Sequence, residues 1–360
     1  MSLIIFTLFL YQTVSMKKFK KHKDYGFFDQ DLRLSKLTHL GDPLERLSAG
    51  IDFEFFRPLL TEVLTKTVKG AGGRRPYDYV LMFKILILQR YYNLSDDQVE
   101  FQINDRMSFM RFLDLTIADD VPDSKTVWHF REQLIELELV EPIFNLFLGH
   151  LERLNLVAHE GKIVDASFIE VPKQRNSKSD NESIKAGNIP DKFKANPNKL
   201  AQKDTDARWT KKNNVSYFGY KNHVKADSKS KIITKYKVTD ASEHDSQSLE
   251  NLLDTKDENQ NLFADSAYVG VLQEATITNQ KMTNQVCERA FRNKPLTEEQ
   301  EKTNTEKSRT RSRVEHIFGF MENSMNGMYF YQVTLKRITA VVGLMNLTYN
   351  MFRKIQMQSA

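Results

Sequence analysis

The sequence predicts an all-helical N-terminal region followed by an α/β core with a mixed sheet and flanking helices. Three observations lead there. From about 52 to 155, apolar residues recur at three- and four-residue spacing, as on one face of a helix. From GKIVDASFIEV (161–171) onward, short runs rich in branched residues replace that period. Beyond about 240, helical and strand-like stretches alternate.

Residues 1–50 read as an N-terminal arm: polar, basic and weakly periodic from 16 onward. The apolar run LIIFTLFLY near the start has its lysines behind it, in MKKFKKHKD, the reverse of a secretory signal. Either translation starts at Met16, or 1–15 form a partly buried N-terminal segment. Residues 51–156 form the helical domain. FFRPLLTEVLTK, PYDYVLMFKILILQRYYN, DDQVEFQIND and MSFMRFLDL carry the helical period, and Pro122-Asp123-Ser124 starts a helix before KTVWHFREQLIE. LVEPIFNLFLGHLERL closes the region.

Residues 157–356 form the core. After the strand at 161–171, the segment 173–205 is polar and poor in large apolar groups, which predicts a long flexible insertion. VSYFGYKNHVKAD and KIITKYKVTDA flank the turn DSKSK as a β-hairpin. HDSQSLENLLDT predicts a helix, NLFAD a strand, GVLQEATITN a helix, TNQVCERA a strand, and 305–325 and TLKRITAVVGLMNLTYNMFRKIQ two further helices. A three-strand meander followed by alternating helix and strand is the order of a ribonuclease-H-like core.

A single cysteine, Cys287, excludes a disulfide framework and a cysteine-rich zinc site, and fits a reducing compartment. No run of about 18 apolar residues occurs, so no membrane-spanning helix is predicted. The net charge of +5 is too small to argue for a polyanionic partner; its placement says more.

Three acids occupy telling places. Asp165 interrupts the middle of a strand, where burial disfavours charge. Asp265 ends NLFAD, at the carboxyl edge where open α/β sheets bind ligands. Glu315 borders the apolar stripe Val314, Ile317, Phe318, Met321 and Met325 of a helix. Carboxylates converging from two strands and a helix suit Mg2+ or Mn2+. Two such ions would activate a water or a 3′ hydroxyl at a phosphodiester. Taken singly, each acid is better explained as a cap or an ion-pair partner than as a ligand; it is the three together that point to a metal.

The basic residues fit a DNA partner. Arg309, Arg311 and Arg313 lead up to Glu315, and Arg311, Glu315 and Gly319 share a helix face. Glycine there would leave room for a phosphate backbone. Residues 203–237 hold ten Lys or Arg against three Asp or Glu, among them Lys211, Lys212, Lys221 and Lys225. Tyr217, Phe218 and Tyr220 interleave with these lysines and either stack on bases or pack inward. Trp209 either stacks on DNA or anchors the hairpin. KTVWHFREQL could be the second helix of a helix-turn-helix, with Val127, Phe130 and Leu134 inward and Lys125, His129 and Gln133 outward. His223 and His244 lack partners at metal-ligand spacing, and Asp245 or Ser246 would cap the helix at ASEHDSQ.

These stretches together resemble the DDE transposases of the insertion-sequence-five family. The resemblance rests on IVDASFIEVPKQRNS, DARWTKKNNVSYFGYKNHVKAD, VTDASEHDSQ, ADSAY, ERAFRNKPLT and RSRVEHIFGFMENSM, and runs from about 25 to 350. It implies that Asp165, Asp265 and Glu315 are the acid triad of a magnesium-dependent enzyme. It implies a helical domain that binds terminal inverted repeats, cleavage at the element ends, and joining of 3′ ends to target DNA. It also implies a homodimer or higher oligomer on paired ends, in a bacterial cytoplasm and associated with the nucleoid. The family's Tyr, Arg, Glu, Lys signature is matched here at Arg311 and Glu315 only. Ser308 and Glu322 stand at the other two positions, so the DNA contact of that lysine does not carry over.

Overall fold

The computed structural model describes residues 20, 26–65, 75–212, 214–291 and 294–358. Residues 1–15, which raised the question of the start, lie outside them. The chain divides into two compact units, 1–41 and 42–360. In the first, helix α1 (Asp29–His39) has no buried residue.

The second unit opens with eight residues expected in the arm. Instead they form α2 (Pro43–Gly50), because Asp42 caps the Leu44 N–H, Pro43 takes the first turn, and Leu44 and Leu47 are wholly buried. Helices α3 (Arg57–Thr65), α4 (Tyr79–Tyr91), α5 (Asp96–Asp105), α6 (Met107–Phe112), α7 (Ser124–Glu136) and α8 (Val140–Arg153) follow. Asp78 caps α4, Ser95 and Gln98 form a capping box on α5, and Asp123 caps α7 as its position predicts.

Strand β1 (Gly161–Glu170) begins the core. The segment expected to be a flexible insertion is instead three short helices, α9 (Lys178–Lys185), α10 (Asp191–Lys194) and α11 (Pro197–Ala201). Few apolar groups suffice, because Ile184 and Phe193 are buried and Asp180 pairs with Lys192 at 2.6 Å. Lys192, Lys199 and Lys203 cover the Phe193 ring. Then come β2 (Arg208–Lys212), a strand the hairpin pattern did not reveal, β3 (Val215–Asp227) and β4 (Ile233–Asp240). They are followed by α12 (Leu249–Leu252), β5 (Asn261–Phe263), α13 (Val271–Asn279), β6 (Thr283–Asn284), α14 (Glu298–Arg311), α15 (Glu315–Gly319) and α16 (Leu335–Gln358).

β1, β3 and β4 form an antiparallel meander, and β5 and β6 continue from β1 in parallel, giving the ribonuclease-H-like sheet. β2 pairs with the first residues of β3. Gly219 is required where these ladders meet, since a Cβ there would lie 2.1 Å from the Ile169 carbonyl and φ is +149°.

β1 has two covered faces. Ile163 and Ile169 join a core that also contains α4, α7, α8 and α16 residues, so the helical region and the sheet share one hydrophobic interior. Val164 faces a smaller core with Leu249, Leu252, Tyr268 and Ile277. α16 lies against α2, α4, α8 and β4 and is buried along most of its length. Among the described residues, no helix is long and apolar enough to cross a membrane.

Candidate active site

The parallel pairing of β1 with β5 places two of the acids level with each other. The last ladder pair is Ile163 with Phe263, and each aspartate comes two residues later. Asp165 stays within its strand, on the face of Ile163. Asp265 ends its strand and turns the chain, its Oδ1 accepting the Ala267 N–H at 2.9 Å. Asp165 Oδ1 accepts the Ala166 N–H at 2.8 Å, and Oδ2 accepts from Arg311 Nη1 at 3.2 Å. Burial pushes the Asp165 carboxyl up to about 6, and the charge of Asp265 adds to the rise. The Ala166 N–H, Arg311 and Lys212 pull the other way. This site is short of positive charge.

Glu315 arrives on an irregular helix. α14 tightens into a 3-10 turn at 312–314, α15 follows, and a π turn takes over at 320–324. Val314, Ile317, Met321 and Met325 are buried as the stripe predicts, with Phe318 partly buried beside them. Glu315 is 64% exposed, against 17% for Asp165. Arg311 joins them, its Nη2 donating to Glu315 Oε1 at 3.4 Å. Among the described residues, no three His, Cys, Asp or Glu side chains stand close enough to hold an ion in this arrangement. The donor chemistry nevertheless fits a hard divalent cation: carboxylate oxygens only, with one carboxylate partly desolvated and repelled by another. Open space surrounds Gly319, where an added Cβ would meet nothing within 4 Å.

Tyr268 belongs to this site and was not singled out from the sequence. It is 1% exposed, and its hydroxyl has no hydrogen-bond partner among the described residues. Burial, then the charges of Asp165, Asp245 and Asp265, push its pKa well above the usual value. The available signal was its place three residues after Asp265, in a turn that must fold back under the acid.

The expected DNA-contact residues divide. Lys211 and Lys212 are exposed on β2, and Lys212 is near enough to Asp165 to lower its pKa. Arg309 is exposed, and Arg313 donates to the Ser228 carbonyl at 2.9 Å while remaining exposed. Lys125 and His129 project outward from α7, and Val127, Phe130 and Leu134 inward, as expected.

Lys225 and Lys221 are corrections. β3 is paired on both sides, and on one of its faces Lys221 and Lys225 are covered by the chain from 243 to 257. Lys225 is 1% exposed and bonded to Asp254 and Asp257 at 2.8 and 2.5 Å. Lys221 is 9% exposed and bonded to Asp245 and the Glu243 carbonyl. Both ammonium groups are used inside the protein. Phe218 and Tyr220 are likewise packed inward, Tyr220 donating to Asp204 at 2.6 Å, while Tyr217 stacks on Phe168. Trp209 is 48% exposed beside Phe218 and Lys173. His223 is a buried core residue, and His244, rather than Asp245 or Ser246, caps its helical turn.

Two family models match the chain. The one described as Transposase domain (DUF772) matches residues 32–133, and the one described as Transposase DDE domain matches residues 158–351. Among solved structures, the chain is similar to the cryo-EM structure of a piggyBac transposase synaptic complex with hairpin DNA. The identity is 11%, the match covers 89% of this chain and 76% of that one, and the TM-score is 0.43.

Proposed function

Because the chain belongs to the DDE transposase family, we propose that it cuts and joins DNA at the ends of an insertion sequence of the insertion-sequence-five kind. It binds the terminal inverted repeats, breaks phosphodiester bonds at the element ends, and transfers the 3′ ends to target DNA. The observation that carries this reading is the pairing of Asp165 with Asp265 at the sheet edge, with Arg311 connecting Asp165 to Glu315.

Asp165, Asp265 and Glu315 would hold Mg2+, or Mn2+ in its place. When bound, these ions supply Lewis acidity to the attacking water or 3′ hydroxyl and to the leaving oxygen. Arg311 screens Asp165 and Glu315, and its guanidinium is of a kind that matches a backbone phosphate bidentately. Lys212, exposed and within the electrostatic reach of Asp165, would draw a DNA backbone toward the acids. The Tyr268 hydroxyl, buried and unpartnered among the described residues, lies within the electrostatic reach of both aspartates. Glu315 is 64% exposed beside a 3-10 turn and shares Arg311 with Asp165. Two copies of the chain would be needed to hold two ends together.

The test uses purified protein, labelled DNA carrying the gene's own flanking ends, and Mg2+ or Mn2+. The parent protein cuts at the ends and yields joined products, and Asp165→Asn binds the same DNA without cutting. Cutting without joining would reduce the protein to a nuclease. DNA that is shifted but never cut in both samples would make the triad structural.

A further inference from the structure

On the helical side, a cavity of about 420 Å³ lies between the end of α4, the start of α5, α7 and the segment 330–337. Its floor carries a charge bonded to no carboxylate: the Arg90 guanidinium lies over the Phe330 ring at 5.3 Å, and Asp96 acts on it without a hydrogen bond. Arg90, in the last turn of α4, is 4% exposed. Its Nη1 has no hydrogen-bond partner among the described residues, and Nη2 reaches only the Leu94 carbonyl, at 3.4 Å. The other two arginines of the cavity are matched. Arg131 gives both terminal nitrogens to Asp96, at 2.5 and 2.9 Å, and Arg337 binds both oxygens of Glu132, at 2.8 and 3.1 Å. Burial and the neighbouring Arg131 push Arg90 down to about 9. Asp96 opposes the shift, Arg90 stays charged at neutral pH, and a buried charge without a bonded carboxylate is unfavourable until a ligand completes it.

The rim of the cavity adds a second kind of contact. Trp128 and Tyr331 line it and are 40% and 71% exposed. Stacking on such rings needs the open face of an unpaired base, which a duplex does not offer. The cavity also lies on the line of the acid site. Residues 328–330 pair with Glu170 at the end of β1, through Glu170 N–H to Met328 O at 3.0 Å and Phe330 N–H to Glu170 O at 2.9 Å. Glu170 is roughly 16 Å beyond Asp165 at the usual rise of a strand.

We propose that this cavity binds one nucleotide of single-stranded DNA, its phosphodiester on Arg90 and its base against Trp128 and Tyr331. This rests on the transposase reading for the class of nucleic acid, since an end being opened for cleavage exposes unpaired nucleotides near the acids.

The test reads Trp128 fluorescence in the full chain carrying Trp209→Phe, which leaves Trp128 the one tryptophan. The probes are a short single-stranded oligonucleotide, the blunt duplex of the same sequence, and inorganic phosphate. The single strand quenches Trp128 at concentrations where duplex and phosphate do not. Arg90→Gln weakens that binding about tenfold to a hundredfold. It also lowers the salt slope by about 0.7. Its melting temperature is unchanged or higher, because an unpaired buried charge has gone. If Arg90→Gln does not fold, Tyr331→Ala on an exposed ring makes the same test. Equal quenching by duplex or by phosphate overturns the proposal. So does an Arg90→Gln protein that melts lower yet titrates like its parent. A parent protein that cuts DNA ends while Trp128 stays silent overturns the pocket alone. A parent that binds and cuts no DNA brings down the transposase reading as well.

Discussion

The acid site and the Arg90 cavity bury charge of opposite sign, and the protein treats them differently. At the sheet edge, Asp165 and Asp265 repel each other, and Arg311, on a helix junction, supplies part of the missing positive charge. At the end of α4, Arg90 has no carboxylate among its bonded partners, although two neighbouring arginines have theirs. A third place shows what balance looks like: Lys225 is as buried as either, and two aspartates satisfy it. Completed pairs hold a fold together. Incomplete ones cost stability and persist where a ligand brings the counter-charge. Substitutions at the three places separate these roles.

The largest expected effect is at Asp165. Asp165→Asn should lower end cleavage by roughly a thousandfold or more while DNA binding is retained. It should also raise the melting temperature near neutral pH, because a disfavoured negative charge beside Asp265 has been removed. Calorimetry beside the cleavage assay checks both, and a lower melting temperature would make Asp165 part of the fold rather than of a charge-deficient site.

Lys225→Met should have the opposite profile. It leaves Asp254 without its bonded cation and Asp257 with only Lys162, at 4.0 Å, and denaturant unfolding should show a loss of about 3–5 kcal/mol. A loss below about 1 kcal/mol would remove the distinction between matched and unmatched buried charge.

His223 gives a comparable effect that depends on pH. Burial lowers its pKa to about 4, from an ordinary 6.5. Asp245 and Glu243 oppose the shift, and Lys221 and Lys237 support it. As pH falls through 6.5 the unfolded chain takes a proton first. Stability is therefore intact above 6.5 and is lost progressively toward pH 4, by about 3 kcal/mol. His223→Gln should flatten that slope, and unfolding curves at several pH values would show it.

The smallest effect on the fold is at Lys212. Lys212→Met should change stability by no more than about 0.5 kcal/mol. It should reduce the salt slope of DNA binding by about one. An unchanged slope would place the DNA elsewhere than beside Asp165.

Much of this was legible from periodicity. The meander, the alternating helices and strands, and the apolar stripe beside Glu315 all follow from side chains that must be buried on one face. Asp165 could be picked out because a charge in mid-strand contradicts its surroundings. The order of 173–205 could not be read, since it depends on a few anchors, Ile184 and Phe193, and on polar bonds that no period announces. The direction of the lysines was equally hidden. Lys212 and Lys225 belong to the same basic stretch, yet one lies on β2 near the exposed start of β3 and the other on a strand paired along both sides.

The sequence by itself determined the order of elements, the placement of three acids within that order, and the excess of basic residues around 203–237. These are local properties, written in burial periods, caps and charge. Only the tertiary structure decided which charges meet a partner. Arg311 reaches Asp165 across 146 residues of chain, the Tyr268 hydroxyl has no partner among the described residues, and Arg90 has no bonded carboxylate while Arg131 finds Asp96. The reason is physical: whether a charge is compensated depends on what lies within a few ångströms of it, and sequence separation says almost nothing about that distance.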